Sequence, residues 1–480
     1  MNKKQAYEFI EQNSDIFCTL SDKVWDYAET AFEEFQSAEC FCEALKQFGF
    51  EVKQNVGDIP AAFVGTWGNG YPVIGFLGEY DALAELSQEA GIAKKSPIEK
   101  GGNGHGCGHN LLGAGALAAA VAVKDYLEKT GKSGTIKFFG CPGEEGGSGK
   151  AFMAREGVFD GLDLAFCWHP MNINGVFDVS TLANYQISYE FTGRSAHAAA
   201  TPHLGRSALD ALELMNVGVQ FLREHVIQEA RIHYAITNAG GFSPNVVQPK
   251  AEVLYLIRAP RITQIEEIYQ RINKIAWGMA LATETEVEIK FIKACADIVP
   301  NKVLSGLLHK NMLSAPKISY TEQDYAFAEA LDKTMESPPP LQVLTNVAPE
   351  DINNCLTQMQ DKAIYEEVLP FYPDREVPVS PGSTDVGDVS YIAPTGQVVT
   401  SCWTFKTPPH TWQSVAIGKS GIAHKGFIYA AQALAGAAID ALEDDSIIQA
   451  AKEEFNNRLG GNAYKCPIPP EIKPQAVSKL

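Results

Sequence analysis

The sequence predicts an α/β domain interrupted by a smaller α+β domain. Three observations carry this. Near-continuous apolar strands alternate with helical segments over the first 180 residues, the pattern of a sheet covered on both faces. Between Asn184 and about Lys293 the order becomes β-α-β-β-α-β, the split ferredoxin-like arrangement. And 480 residues exceed what one core organises.

Taken in order, residues 2–13, 15–31 and 36–49 read as amphipathic helices, followed by buried strands AAFVGTW (61–67) and PVIGFLG (72–78). LLGAGALAAAVAVKDYLEK (111–129) predicts a helix whose small residues allow close packing on a sheet. TIKFFGC (135–141) and LDLAFCW (162–168) are the next strands. The inserted region then reads as strand YQISYEFTG, helix RSALDALELMNVGVQFLREHV and strands RIHYAITNA and AEVLYLIRA. Helix ITQIEEIYQRINKIAWGMAL and strand TEVEIKFIK complete it, with more alternation than before, as a sheet with one open face requires. Two helical segments, a proline-rich connection (SPPPLQV, 337–343) and a last strand-and-helix set ending in GIAHKGFIYAAQALAGAAIDAL close the chain.

Composition narrows the function classes. Hydrophobic residues make up 45% and charged residues 20%, ordinary for a soluble globular protein. A net charge of −19 argues against nucleic acid or an anionic membrane as the main partner, though a local cationic pocket can still hold an anionic substrate. The N-terminus has no signal-peptide pattern, and the longest apolar stretch is too short to span a bilayer. Ten scattered cysteines in such a chain are expected to be reduced thiols in the cytoplasm.

Four segments hold candidate ligands. NGHGCGHNLLGAG (103–115) brings Cys107 and His109 within two residues of each other, between glycines that let the backbone turn tightly. Alone, the cysteine could equally be a small buried hydrophobe. FFGCPGEEGGSG places Glu144 and Glu145 just beyond a buried strand, where open sheets bind their ligands. Alone, two adjacent acids read as a solvated loop; beside a cation, one carboxylate can bind it while the other takes a proton from water. His169 and His410 likewise follow apolar strands. Five soft, imidazole and carboxylate groups exceed one tetrahedral site, which makes two divalent metal ions and metal-assisted hydrolysis the expected chemistry. Asp81, after PVIGFLG, fits either orientation of a ligand imidazole or capping of a helix. Ser383 and Thr384 fit a pocket lining or a plain turn. His105, His203, His225, His233, His309 and His424 receive no role.

GEYDAL, GHGCGHNLLG, CPGEEGGSGKAFM, REGVFD, WHP, HLGRSALDA, HYAITNAGGFSPNVVQ, AEVLYLIRAP, STDVGDVS, TPPHTWQ and GIAHKG occur in this order. The set resembles the M20 metallopeptidase/amidohydrolase family, in the branch that uses a Cys-Gly-His segment. The resemblance spans nearly the whole chain and is weakest at about 314–370. It implies a zinc-peptidase-like catalytic domain, residues 1–183 and 298–480, with a lid and dimerisation domain at 184–297. It puts the metal ligands on Cys107, His109, Glu145, His169 and His410, the general base on Glu144 and the orienting aspartate on Asp81. Glu79, where other branches have a ligand histidine, is not expected to bind metal. The lid's His197 would stabilise the oxyanion of a neighbouring subunit's site, while Asn245 and Arg258 match positions that hold a substrate carboxylate. The implied reaction is cleavage of an N-acyl or N-aroyl amino acid, with p-aminobenzoyl-glutamate the expected substrate and manganese or zinc the metal. A dipeptidase or another deacylase is the alternative. The implied assembly is a homodimer through the lid, or a heterodimer with a related A-type subunit.

Overall fold

The computed structural model describes residues 2–335, 357 and 362–476; the proline-rich segment 337–343 lies outside these. Helices α1 (Lys3–Gln12), α2 (Ser14–Tyr27) and α3 (Phe35–Gln47) open the chain, α1 starting in a capping box between Asn2 and Gln5. A seven-stranded sheet follows, built from β1 (Glu51–Gln54), β2 (Phe63–Asn69), β3 (Val73–Glu79), β4 (Gly134–Cys141), β5 (Leu164–Met171), β6 (Gly175–Val176) and β13 (Thr395–Ser401). Its order is β1-β2-β4-β3-β5-β13-β6. The four strands β4, β3, β5 and β13 run parallel, with antiparallel pairings confined to the two flanks. Two short strands, β7 (Ser180–Thr181) and β12 (Val379–Ser380), form a separate parallel pair.

The sequence does not announce strand β1. Its residues, EVKQ, are mostly exposed and have no apolar alternation to read. Helix α4 (His109–Thr130) begins two residues before the sequence-based boundary, which places His109 in its first turn. Its glycines set how near it lies to the sheet. A Cβ on Gly115 would meet the Trp168 ring at 2.8 Å, and one on Gly113 would meet the Glu79 carbonyl at 2.7 Å. Trp168 Nε1 donates to the Leu112 carbonyl at 2.9 Å, so strand β5 and α4 are also tied by a hydrogen bond. The long helix Gly421–Glu443 packs beside α4, and both contribute rows of fully buried alanines to the same core.

The inserted region forms a second, antiparallel sheet of β8 (Ala183–Thr192), β9 (Arg231–Asn238), β10 (Lys250–Ala259) and β11 (Glu286–Cys295), ordered β11-β8-β10-β9. Helices α7 (Ala208–Leu222) and α8 (Ile262–Thr283) cover one face. Strand β10 alternates buried with partly exposed residues along its length, as a one-sided sheet requires.

Candidate metal centre

The parallel strands β3, β4, β5 and β13 end at Glu79, Cys141, Met171 and Ser401, and the candidate ligands lie at or just beyond these ends. This is the sheet edge where α/β enzymes place their sites. Gly108, at φ +77°, precedes α4; a Cβ there would be strained and would meet Pro170 at 3.0 Å. The turn it permits brings Cys107 and His109 to the same point. Glu144 and Glu145 open the single turn α5 (Glu144–Gly147), directly after β4.

Three groups of three donors result among the described residues. In each, the ligand atoms all lie within 4.8 Å of one another: Cys107, His109 and His169; Cys107, Glu145 and His410; and Glu79, His109 and Glu144, which brings in the glutamate not expected to bind metal. Cys107 belongs to the first two. Its Sγ is 3.5 Å from His169 Nε2. His169 Nδ1 lies 2.8 Å from the Pro170 carbonyl, a contact that needs a proton on Nδ1 and leaves Nε2 as a free lone pair. His410 Nε2 sits 2.9 Å from Glu145 Oε1. His410 itself holds a left-handed backbone at φ +59°, fixed by its N–H donating to the Gly106 carbonyl at 2.9 Å.

Asp81 is no helix cap, because residues 80–83 are not helical. It is fully buried, and its two oxygens do different work. Oδ1 meets His109 Nδ1 at 2.8 Å, and Oδ2 accepts the Glu145 N–H at 2.7 Å. One carboxylate therefore orients a candidate ligand imidazole and the turn that bears both glutamates. His109 Nε2, on the other side of the ring, is buried without a hydrogen-bond partner. An orphaned imidazole nitrogen, a free His169 Nε2, a thiol and a carboxylate fit divalent metal ions.

The electrostatics divide the acid pair. Burial, then the charges of Glu79, Glu145 and Asp385, push Glu144 well above the usual carboxylate range. Burial also disfavours an ionised Glu145, but the His410 hydrogen bond and the charges of His109 and His410 outweigh it and hold Glu145 at about 2. Glu144 Oε2 lies 4.0 Å from His109 Nε2. A proton-accepting acid beside a permanently charged one is the division of labour that general-base hydrolysis needs.

Sequence reasoning missed the support beneath. Lys150, fully buried on the short helix α6 (Gly149–Arg155), places its ammonium 2.5 Å from Glu79 Oε1 and 2.6 Å from Asp385 Oδ1. Its backbone N–H donates to Asp385 Oδ2 at 2.8 Å. Glu79 Oε2 in turn lies 3.3 Å from His109 Nε2. Glu34, also buried, accepts the Gly143 N–H at 2.8 Å and holds the start of the glutamate turn. A lysine six residues after Glu144, within a short apolar helix, is the signal that the sequence offers.

The remaining candidates fall in two places. Arg258, on β10, donates from Nη1 to Ser383 Oγ at 2.9 Å, joining the inserted sheet to the loop before Asp385. Thr384 Oγ1 accepts the Val386 N–H at 3.3 Å. His197 and Asn245 are both exposed and lie together at the far end of the inserted sheet, where the Ala198 N–H donates to the Asn245 carbonyl. Eight strand steps separate Lys250 from Arg258, about 27 Å. His197 Nδ1 accepts the N–H groups of Ala199 and Ala200 at 3.2 Å, so its proton resides on Nε2. His105 faces away, 3.0 Å from the Val24 carbonyl, and burial followed by the charge of His109 holds it at about 3.

Against known proteins, residues 75–396 match the model of "Peptidase family M20/M25/M40". The chain is 47% identical over 481 residues to the B-type subunit of the p-aminobenzoyl-glutamate hydrolase of Escherichia coli (strain K12), covering 99% of this chain and 100% of that protein. Among solved structures it resembles a putative aminohydrolase of methicillin-resistant Staphylococcus aureus, with TM-score 0.62, 17% identity and coverage of 92% of this chain and 100% of that one. It also resembles a dinuclear metal-binding peptidase of Bacillus subtilis, with TM-score 0.53, 16% identity and coverage of 90% and 99%.

Proposed function

The chain belongs to peptidase family M20/M25/M40 and is a hydrolase of amide bonds; we propose that its substrate is p-aminobenzoyl-glutamate and that it works with two divalent metal ions, manganese or zinc. The observation that carries the metal reading is the pair of donor triads sharing Cys107. Cys107, His109 and His169 would hold one ion, and Cys107, Glu145 and His410 the other. Bound there, the ions would lower the pKa of water and polarise the substrate carbonyl. Glu144 takes the proton from the attacking water and returns it to the leaving amine. Asp81 keeps His109 Nδ1 protonated, so that Nε2 faces the metal position.

Arg258, beside Ser383, is placed to hold the carboxylate of the cleaved amino acid as a bidentate donor. His197 and Asn245 lie too far along the lid to join it within one subunit. Their exposure fits action on a neighbouring subunit's substrate, with His197 Nε2–H as the oxyanion donor. The lid's outer helices supply a surface for that neighbour. Leu214, Val217 and Phe221 on α7, with Trp277 and Leu281 on α8, are exposed apolar side chains at helical spacing. A second copy of this chain, or an A-type relative, would cover them. The cytoplasm is the proposed location; no helix among the described residues is long and apolar enough to cross a membrane.

Glu144→Gln tests the assignment. Turnover of p-aminobenzoyl-glutamate should fall by about 10²–10⁴-fold with metal content unchanged. Full turnover in that variant would remove Glu144 from the mechanism. Wild-type enzyme that cleaves dipeptides and leaves p-aminobenzoyl-glutamate intact would replace the substrate.

A further inference from the structure

The open face of the lid sheet carries two neighbouring arginines that make no ion pair among the described residues. Arg231 on β9 and Arg258 on β10 are register partners, so their side chains leave the same face about 5 Å apart. Like charges placed in this way destabilise a sheet. Their hydrogen bonds go to neutral groups. Arg231 Nη1 donates to the carbonyls of Gln228 and Ala230 at 2.7 and 2.9 Å, and Arg258 Nη1 to Ser383.

His233, two residues along β9 and paired with Leu256, shares this face. Burial, then the charges of Arg258, Arg223 and Arg231, depress its pKa. Arg223 also bonds a neutral partner, Gln220 Oε1 at 2.9 Å. The acids of the same sheet face sit at the opposite end and are occupied there. Glu190 takes Lys250 at 3.2 Å and Lys290 at 2.7 Å, and Glu288 takes Lys290 at 3.5 Å. In a chain of net charge −19, Arg231 and Arg258 thus stand side by side with no ion pair among the described residues.

This end of the sheet is the one that meets the metal centre. Ser383, which Arg258 holds, is two residues from Asp385; Asp385 pairs with Lys150, and Lys150 with Glu79 beside His109. A substrate whose α-carboxylate reaches Arg258 has its side chain within reach of the neighbouring strand.

We propose that Arg231 forms, next to Arg258, a subsite for the second carboxylate of a dicarboxylic amino acid. Adjacent strands lie about 4.8 Å apart. The two carboxyl groups of a glutamyl residue are separated by roughly 5 Å at standard bond lengths. One anion with two carboxylates bridges both guanidiniums and removes their mutual repulsion. Arg231 Nε and Nη2 supply the donors, since Nη1 is spent on the loop carbonyls. The inference rests on the amide-hydrolase reading above and adds to it the residue that selects an acidic side chain.

The test is a ratio. kcat/KM is measured for p-aminobenzoyl-glutamate and p-aminobenzoyl-glutamine, which differ by one charge at equal size, on wild type, Arg231→Gln and Arg231→Lys. Wild type should prefer the glutamate by about tenfold or more, as expected for a charge-assisted contact against a neutral one. Arg231→Gln should collapse that ratio toward unity, chiefly through KM, and Arg231→Lys should restore part of it. A wild type indifferent to the charge, or an Arg231→Gln that keeps the wild-type ratio, overturns the subsite. If neither aroyl amide is cleaved, the substrate reading fails instead. The same glutamate-to-glutamine ratio, taken on the N-acetyl or dipeptide forms that are cleaved, then decides Arg231 by the same criterion.

Discussion

Replacing Lys150 with methionine keeps the packed stem and removes the charge beneath the metal centre. The ammonium is fully buried, 2.5 Å from one Glu79 oxygen and 2.6 Å from one Asp385 oxygen. Removing one partner of a buried ion pair costs about 3–5 kcal/mol, because the other charge is left uncompensated. Two carboxylates lose their cation here. Asp385 keeps the Lys150 backbone N–H at 2.8 Å, whereas Glu79 keeps beside it only the His109 nitrogen at 3.3 Å, which makes no hydrogen bond. The expected loss is therefore at least in that range, a third or more of a typical folding stability. Urea unfolding at pH 7, followed by tryptophan fluorescence and circular dichroism, measures it. The triple variant Glu79→Gln, Lys150→Met, Asp385→Asn should recover most of the loss, since neutral groups of the same shape carry no charge to strand. A Lys150→Met protein within about 1 kcal/mol of wild type would refute the argument. So would a triple variant no more stable than the single one, because the cost would then lie in packing.

Cys107→Ala should strip metal from both positions, whereas His410→Ala should weaken one and leave about one ion per chain, because Cys107 belongs to both of the proposed metal triads and His410 to one. Elemental analysis of the purified variants decides between these stoichiometries, and equal metal content in the two would contradict the shared-thiolate arrangement. Asp388 offers a pH prediction. Burial pushes its carboxyl up to about 7, against the stabilising N–H of Ala296 and the hydroxyl of Tyr464. A folded pKa above the unfolded value of about 3.9 favours the protonated native state, so this contribution is complete below pH 4 and lost as pH rises through 7. A shift of about three units is worth about 4 kcal/mol at most. Asp388→Asn should accordingly gain on wild type by a few kcal/mol between pH 5 and pH 8. If the urea midpoints of wild type and variant move by the same amount between those two pH values, the assignment to Asp388 is wrong.

The parts of the site legible in the sequence share one property: their position follows from a strand end. Glu145, His169 and His410 come shortly after or at the close of apolar runs, and Cys107 and His109 sit at the start of an apolar helix. Once those runs are strands of one parallel sheet, their ends lie on one edge whatever the strand order. In the sequence Asp81 is open between a cap and an orienting group, and only the coil at residues 80–83 and the 2.8 Å contact with His109 separate the two. The parts that could not be read depend on which strands and domains are neighbours. Lys150 and Asp385 are 235 residues apart, and nothing in the local pattern of either names the other. Whether Arg258 and Asn245 can touch one substrate turns on the opposite ends of one sheet, a matter of register and not of motif. The family resemblance implies that both hold a carboxylate; strand length separates them by about 27 Å within a subunit. The same register that divides them also sets Arg231 beside Arg258. Antiparallel pairing thus assigns to one lid strand pair what the sequence had distributed between motifs, and it makes side-chain selectivity a property of the β9–β10 pair rather than of the metal loops.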